Sequence, residues 1–155
     1  MMEEAFRVSV SEADFDVGAE LDALAAGRSD IGAVASFVGR VRGGEGLIAM
    51  SLEHYPAMTE KALAGIVSQA RVRWPLMGVR VIHRVGRLLP GAQIVMVAVA
   101  SGHRGAAFEA CEFIMDFLKT RAPFWKKEEL PGGARWVDAR ESDDAAAARW
   151  DTDQP

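Results

Sequence analysis

The sequence predicts an α+β domain with a mostly antiparallel sheet and about three helices. Three observations predict it. Strand and helix patterns interleave in the order β-α-β-β-α-β-β-α-β, two pairs of successive strands read as hairpins, and Ile94–Ala100 is an unbroken apolar run of the kind that is buried on both faces. Alternating hairpins and helices favour this class over a doubly wound parallel sheet. With 155 residues the chain is the size of one domain. It is read as a single domain over residues 1–150 with a polar tail at 151–155, and it carries no internal repeat or linker.

The elements follow in order. Phe6–Val10 is a short strand with Phe6, Val8 and Val10 on one face, and Asp14–Ala26 is a helix with Leu21, Leu24 and Ala25 on one side that stops at Gly27. Ile31–Val41 is rich in β-branched residues. After the glycine-rich bend Arg42-Gly-Gly-Glu-Gly46, Leu47–Tyr55 alternates well enough to pair back on it. Thr59 is the expected cap of a helix through about Trp74, packed through Leu63, Ile66, Val67 and Ala70 and ended by Pro75. Val79–Arg84 alternates, with Val79, Val81 and His83 on one face and Arg80, Ile82 and Arg84 on the other. Leu89-Pro-Gly-Ala92 turns the chain into Ile94–Ala100. A third helix from about Gly105 to Lys119 packs on Phe108, Cys111, Met115 and Leu118, Arg135–Ala139 is a last strand, and Glu141–Pro155 is acidic and weakly helical.

Composition narrows the functions. Half the residues are hydrophobic, 26% are charged and the net charge is −4, which argues against a nucleic-acid partner held on a broadly basic surface. No apolar run reaches the ~18 residues of a membrane span, and the first residues lack the basic-then-apolar order of a secretory signal. The one cysteine, Cys111, excludes an internal disulfide and suits a reducing compartment, so a cytoplasmic protein is expected.

Against that mildly acidic background, Lys119-Thr-Arg-Ala-Pro-Phe-Trp-Lys-Lys127 stands out: four cations and two large aromatics after an apolar helix that Pro123 stops. Lys119 in a last helical turn would by itself only complement the helix dipole, worth about 0.3–1 kcal/mol. But Pro123-Phe124-Trp125 places aromatic bulk in what reads as a loop, and Arg121 and Lys126 disfavour a second ammonium nearby. A partly dry site of this kind suits a nucleophilic amine, and left charged the same cluster binds phosphate or carboxylate. A second candidate is Ser101-Gly-His-Arg104, where backbone N–H groups at a helix start, His103 and Arg104 form an anion site. A third is Gly39–Gly46, which sets Arg40 and Arg42 at a glycine-rich bend. His54 and His83 have no second ligand at metal spacing and read as structural, and Cys111 reads as core. Glu53 and Glu128 are acids with no paired partner in the spacing. About 15 residues of helix separate Arg104 from Lys119, roughly 22 Å. If both clusters serve one small ligand, the two ends come from different copies of the chain in a symmetric dimer.

Phe37-Val-Gly-Arg-Val-Arg42, Leu52-Glu-His-Tyr-Pro56, Met58-Thr-Glu-Lys61, Val81-Ile-His-Arg84, Ser101-Gly-His-Arg104, Phe113-Ile-Met-Asp-Phe-Leu-Lys-Thr-Arg-Ala-Pro-Phe-Trp-Lys126 and Arg135-Trp-Val-Asp-Ala-Arg-Glu-Ser142 resemble, in this order, the catalytic (large) subunit family of molybdopterin synthase. The resemblance implies an α/β hammerhead-type fold and a homodimer that carries a small ubiquitin-like subunit at each end of a heterotetramer. The small subunit holds sulfur as a thiocarboxylate on its C-terminal Gly-Gly, and the enzyme is a sulfurtransferase that adds two sulfurs to cyclic pyranopterin monophosphate, making molybdopterin for the molybdenum cofactor. Carried over by motif, Lys119 and Lys126 are the catalytic lysines. Arg40, Val41, Arg42, His103, Arg104, Lys126, Lys127 and Glu128 are substrate contacts, with His103 and Arg104 given by the neighbouring chain. Phe37, Met115, Pro123, Phe124 and Trp125 wall the pocket. No cofactor or metal site is implied. Two departures are visible: the bend after Arg42 is short, and Gly102 stands where alanine is usual. A non-catalytic anion-binding dimer of the same fold is the rival reading.

Overall fold

The computed structural model describes residues 2–137 and 141–151. Along the chain run β1 (Phe6–Ser11), α1 (Val17–Ala25), β2 (Ala33–Arg40), β3 (Ala49–His54), α2 (Pro56–Arg73), β4 (Leu76–Arg84), β5 (Gly86–Leu88), β6 (Gln93–Ser101), α3 (Arg104–Arg121), β7 (Phe124–Leu130), β8 (Gly133–Val137) and α4 (Glu141–Ala148). They build two sheets of four strands, ordered β1-β4-β6-β2 and β5-β3-β7-β8. Among the described residues only β1 and β4 pair in parallel; the other pairings are antiparallel. The α+β class and the antiparallel bias expected from the sequence therefore hold.

The centre of the first sheet is sealed on both faces, as the apolar run of β6 requires, while the edge strand β2 leaves Val34, Ser36 and Phe37 exposed. Val95, Val97 and Val99 turn towards α2 and α3 and join Leu63, Ile66, Ala70, Phe113, Ile114 and Phe117 in the main core. The intervening Met96 and Ala98 turn the other way, with Ile82, against Leu21 and Leu24 of α1. Strand β4 alternates as its sequence suggests: Val79 and Val81 face the helices, while Arg80 ion-pairs with Glu20 of α1 at 2.9 Å. Asp16 caps α1, accepting from the Ala19 N–H at 3.0 Å.

Three expectations need correction. The hairpin of residues 31–41 with 47–55 does not form: β2 pairs with β6, and β3 pairs with β5 and β7 in the other sheet. The end of β2 is captured instead by the turn before β6, where Val41 donates to the Ala92 carbonyl (2.9 Å) and accepts from Gly91 (2.7 Å). Gly44, Glu45 and Gly46, all at positive φ, then lead the chain away. Second, residues 124–130 are a full strand and not a loop. Third, Thr59 lies inside α2, which starts at Pro56; its hydroxyl is buried and donates back to the Tyr55 carbonyl at 2.8 Å. The stretch from Glu141, expected to be weakly helical, forms a helix at Glu141–Ala148, so the described residues hold four α-helices. The last strand covers residues 133–137, and residues 138 and 139 of the expected span lie outside the described residues, as do residues 152–155 of the expected tail. Beyond α4, Trp150 returns to the core, edge-on to Trp74 (5.6 Å) and Phe113 (5.5 Å), with its indole N–H on Asp116 at 2.7 Å.

Candidate active site

The open face of the second sheet and the end of α3 enclose a cavity of about 970 Å³. Strand β7 is its floor. Its alternate residues Phe124, Lys126, Glu128 and Leu130 line the cavity, as the two-residue period of a strand dictates. Met50 of β3, opposite Glu128, and Arg135 and Val137 of β8, opposite Glu128 and Lys126, belong to the same face. Lys119 enters from the last turn of α3, Ile94 from β6, Arg40 from the end of β2, Arg42 to Glu45 and Leu47 from the bend, and Asp143 from α4.

Among the described residues the lining carries five cations, Arg40, Arg42, Lys119, Lys126 and Arg135, and three carboxylates, Glu45, Glu128 and Asp143. A net positive cavity in a chain of net charge −4 is an anion site. Arg40 and Arg135 are held. A register shift between Gly39 and Arg40 ends the β2 ladder, and the Arg40 guanidinium grips the Gly91 carbonyl through Nε (3.1 Å) and Nη2 (2.8 Å). Arg135 forks onto Glu128 at 3.1 and 3.2 Å. Arg42 and Lys119 make no ion pair with a described residue, which leaves their charge for a ligand.

Beneath the lysines lies a stack of rings built on the two histidines that the sequence pattern marks only as structural. His83, 4% exposed, stacks on Phe124 with centroids 3.8 Å apart and planes 16° apart, and His54 lies 6.2 Å from the same ring. Burial, opposed by the hydrogen bond to the Arg84 carbonyl and helped by the charges of Lys119, Lys126 and His54, pushes the His83 pKa down to about 4. This imidazole is neutral beside two cations. The sequence carries a signal for its depth, since His83 continues the buried face of Val79 and Val81. Nothing in the sequence places it under Lys119 and Lys126.

The nine-residue motif 119–127 is split by the fold. Arg121 leans away, over the Phe117 ring at 4.0 Å and towards Gln69 of α2. Lys127 is on the opposite face of β7, 5.4 Å above the Trp136 ring, and Trp125, also on that face, meets Tyr55 edge-on at 4.7 Å. Pro123 is absent from the lining. Val41 is buried beside Leu52 and Leu88 and presents no side chain to the cavity, Met115 is inside the main core, and Phe37 is 42% exposed on β2. His103 sits at the cap position of α3 and Arg104 on its first turn, both exposed and the length of the helix from Lys119. A single chain thus brings together Arg40, Arg42, Lys119, Phe124, Lys126 and Glu128 from the expected set. Leu47, Met50, Ile94, Leu130, Arg135, Val137 and Asp143 are additions. Cys111 is buried, its thiol directed at the Val97 carbonyl, and burial followed by the Glu112 charge pushes its pKa up to about 11. A Cβ added at Gly102 would meet no atom within 4 Å, so glycine there in place of alanine is sterically neutral.

The MoaE protein family model matches residues 10–121. A molybdopterin synthase catalytic subunit from Ralstonia nicotianae is 66% identical over 146 residues, spanning 92% of this chain and 83% of the relative. This chain belongs to the MoaE family of molybdopterin synthase catalytic subunits. Its members are enzymes. Among solved structures, the MoaE protein of Burkholderia ambifaria superposes with a TM-score of 0.81 at 58% identity, covering 94% of this chain and 98% of that one. Molybdopterin synthase from Staphylococcus aureus superposes at 0.76 with 28% identity, covering 83% and 95%. The family match spans Arg40, Arg42, His103, Arg104 and Lys119 and stops at Arg121. The likeness at β7, with Lys126, comes from the longer alignments to MoaE relatives.

Proposed function

We propose that this chain is the sulfurtransferase subunit that converts cyclic pyranopterin monophosphate to molybdopterin in the cytoplasm. The observation that carries the reading is the convergence of Lys119 from α3 and Lys126 from β7 on one cation-rich cavity. Arg42 suits the substrate phosphate, which arginine holds through paired N–H donors, and Arg40, held on the Gly91 carbonyl, adds positive charge to the same lining. Lys126 adds a second charge beside it. In this reading Lys119 is the residue nearest the reacting carbon, as proton carrier or transient acyl acceptor.

The sulfur comes from outside the chain. Cys111 is buried with a raised pKa, and one thiol would not supply two sulfurs. The donor is the C-terminal Gly-Gly thiocarboxylate of a small ubiquitin-like partner, in line with the name of the relatives, which denotes one subunit of an assembly. In each transfer the thiocarboxylate sulfur bonds to a pterin carbon as that carbon's bond to oxygen breaks, giving a thioester. Water then attacks the thioester carbonyl, the donor's own carbon–sulfur bond breaks, and the donor leaves as a carboxylate while the sulfur stays on the pterin as a thiolate. Fixed cations stabilise the oxyanion formed at that carbonyl. Lys119 is exposed in the single chain, so the entering donor tail is what would dry it. His103 and Arg104 act on the cavity of a second copy, in a homodimer that forms the centre of a heterotetramer.

The test mixes the chain with the thiocarboxylated small subunit and the cyclic pyranopterin and follows dithiolene formation. Lys119→Ala is expected to lower turnover by about a hundredfold or more while the dimer stays folded. A fully active variant overturns the mechanism, and a wild-type dimer that binds the substrate without turnover supports the non-catalytic rival.

A further inference from the structure

Lys119 and Lys126 belong to different parts of the molecule. Lys119 ends the helix packed on the first sheet, whereas Lys126 is in the second sheet. Their spacing therefore depends on how the two sheets meet. At that meeting point His83, from β4 of the first sheet, stacks face to face on Phe124, from β7 of the second, at 3.8 Å. Lys126 is two residues further along β7, on the same face as Phe124.

The edge of the ring is also fixed. Nδ1 lies 2.7 Å from the Arg84 carbonyl, and because a carbonyl only accepts, Nδ1 carries the hydrogen and Nε2 the lone pair. Arg84 is the last residue of β4, and Val85, buried, leads straight into β5 of the second sheet. One imidazole thus touches two of the places where the sheets meet: the Phe124 ring of β7 through its face and the β4–β5 junction through its edge. Phenylalanine would fill the space but leave the Arg84 carbonyl without this donor. A lysine or arginine would set a third cation against Lys119 and Lys126.

We propose that His83 is the positioning residue of the lysine pair: by stacking on Phe124 and pinning the β4–β5 junction through Arg84, it sets the spacing of Lys119 and Lys126 across the cavity. The inference rests on the sulfur-transfer reading for its kinetic consequence, but not for its geometric one.

Two readouts test it in the assembled enzyme. The first is the yield of the Lys119–Lys126 product with a short aryl difluoride that joins two amines, assigned by peptide mapping. The second is the kcat and KM of sulfur transfer. The wild-type chain gives the Lys119–Lys126 product. His83→Ala is expected to lower its yield by about fivefold or more and kcat by about tenfold or more, with KM within about twofold, since a misplacement near 1 Å can cost this much in rate. His83→Phe, which keeps the stack and loses the anchor, is expected to lose about threefold in each readout, and it carries the test should the alanine variant fail to fold. A folded His83→Ala with wild-type cross-link and kcat overturns the proposal, as does a variant that loses thermal stability alone, because a ring serving only as core filler gives that result. Absence of the product in the wild-type chain overturns it too. If the wild-type enzyme transfers no sulfur, the sulfur-transfer reading fails while the cross-link still decides the role of His83.

Discussion

The two sheets have four strands each and treat burial in opposite ways. In the first, the central strand β6 is buried from Val95 to Ser101 between helices on both faces, although the edge strand β2 leaves Val34, Ser36 and Phe37 exposed; in the second, the edge strand β8 exposes every residue from Gly133 to Trp136. A sheet covered on both faces has no place for a ligand and serves as scaffold. A sheet with one open face can carry charge at every second position, and that is where the cavity lies. The chemistry is thus assigned by which face remains uncovered, with α3 bringing one lysine from the sealed half to the rim of the open half.

The comparison breaks first if the scaffold proves soft. Phe113, 1% exposed and packed edge-on with Trp74, Phe117 and Trp150, should cost about 4 kcal/mol when cut to alanine. Trp136→Ala on the outer face of the second sheet should cost less than about 1 kcal/mol. Urea unfolding of the two variants checks the contrast, and equal losses would refute it.

Next in size is the pH dependence at the seam between the sheets. The folded His83 holds its proton only below about pH 4, against 6.5 for an ordinary histidine. The unfolded chain therefore takes up the proton first as pH falls through 6.5, and stability is lost down to pH 4, by about 3 kcal/mol over that window. Above pH 6.5 this contribution is fully present. Urea unfolding at several pH values should show the slope in the wild type and a flatter one in His83→Phe; identical slopes would show that the ring is not shut in as described.

The two faces of β7 give the third contrast. Lys126→Ala should cut sulfur transfer about a hundredfold, or roughly 2.7 kcal/mol of barrier, whereas Lys127→Ala, over Trp136 and off the cavity, should change it within about twofold. Steady-state rates decide, and a Lys127 effect as large as that of Lys126 would mean that the outer face of β7 also meets substrate. The smallest effect is expected at the surface pair Arg87–Glu129, 2.8 Å apart: Arg87→Ala should shift unfolding by less than about 1 kcal/mol, and that shift should shrink in high salt.

The same contrast explains what the sequence can tell. The scaffold half is legible because its patterns are clean. The run of β6, the alternation of β4 and the apolar stripes of α2 and α3 each follow from burial on a known face. Strand β7 is hidden because its residues come in like pairs, Phe124-Trp125, Lys126-Lys127 and Glu128-Glu129. Each pair sends one member to either face, so alternation in space leaves no alternation in type. Strand β3 is visible but draws the wrong neighbour, since its pattern says which face is buried and not which strand lies alongside. At the site, the motif ending at Lys127 is conspicuous as charge beside aromatics. The fold then separates Lys126 from Lys127 and turns Arg121 away. The histidine below the lysines can be read as buried, but its stacking partner is 41 positions further along the chain, beyond the reach of local pattern.

The pairing of β3 with β7 also bears on how the molecule is assembled over time. Every strand of the first sheet has been made by residue 101 and α3 is finished by residue 121, so most of that half precedes β7 in the chain, with Ala147 and Trp150 joining its core later. Strand β3 must wait, paired only with the three residues of β5, until residues 124–130 arrive some seventy positions after it. Such long-range closure is slow. The cavity floor is therefore built after the strands of the first sheet, and α4, which adds Asp143 to the cavity and Ala147 to the main core, follows it.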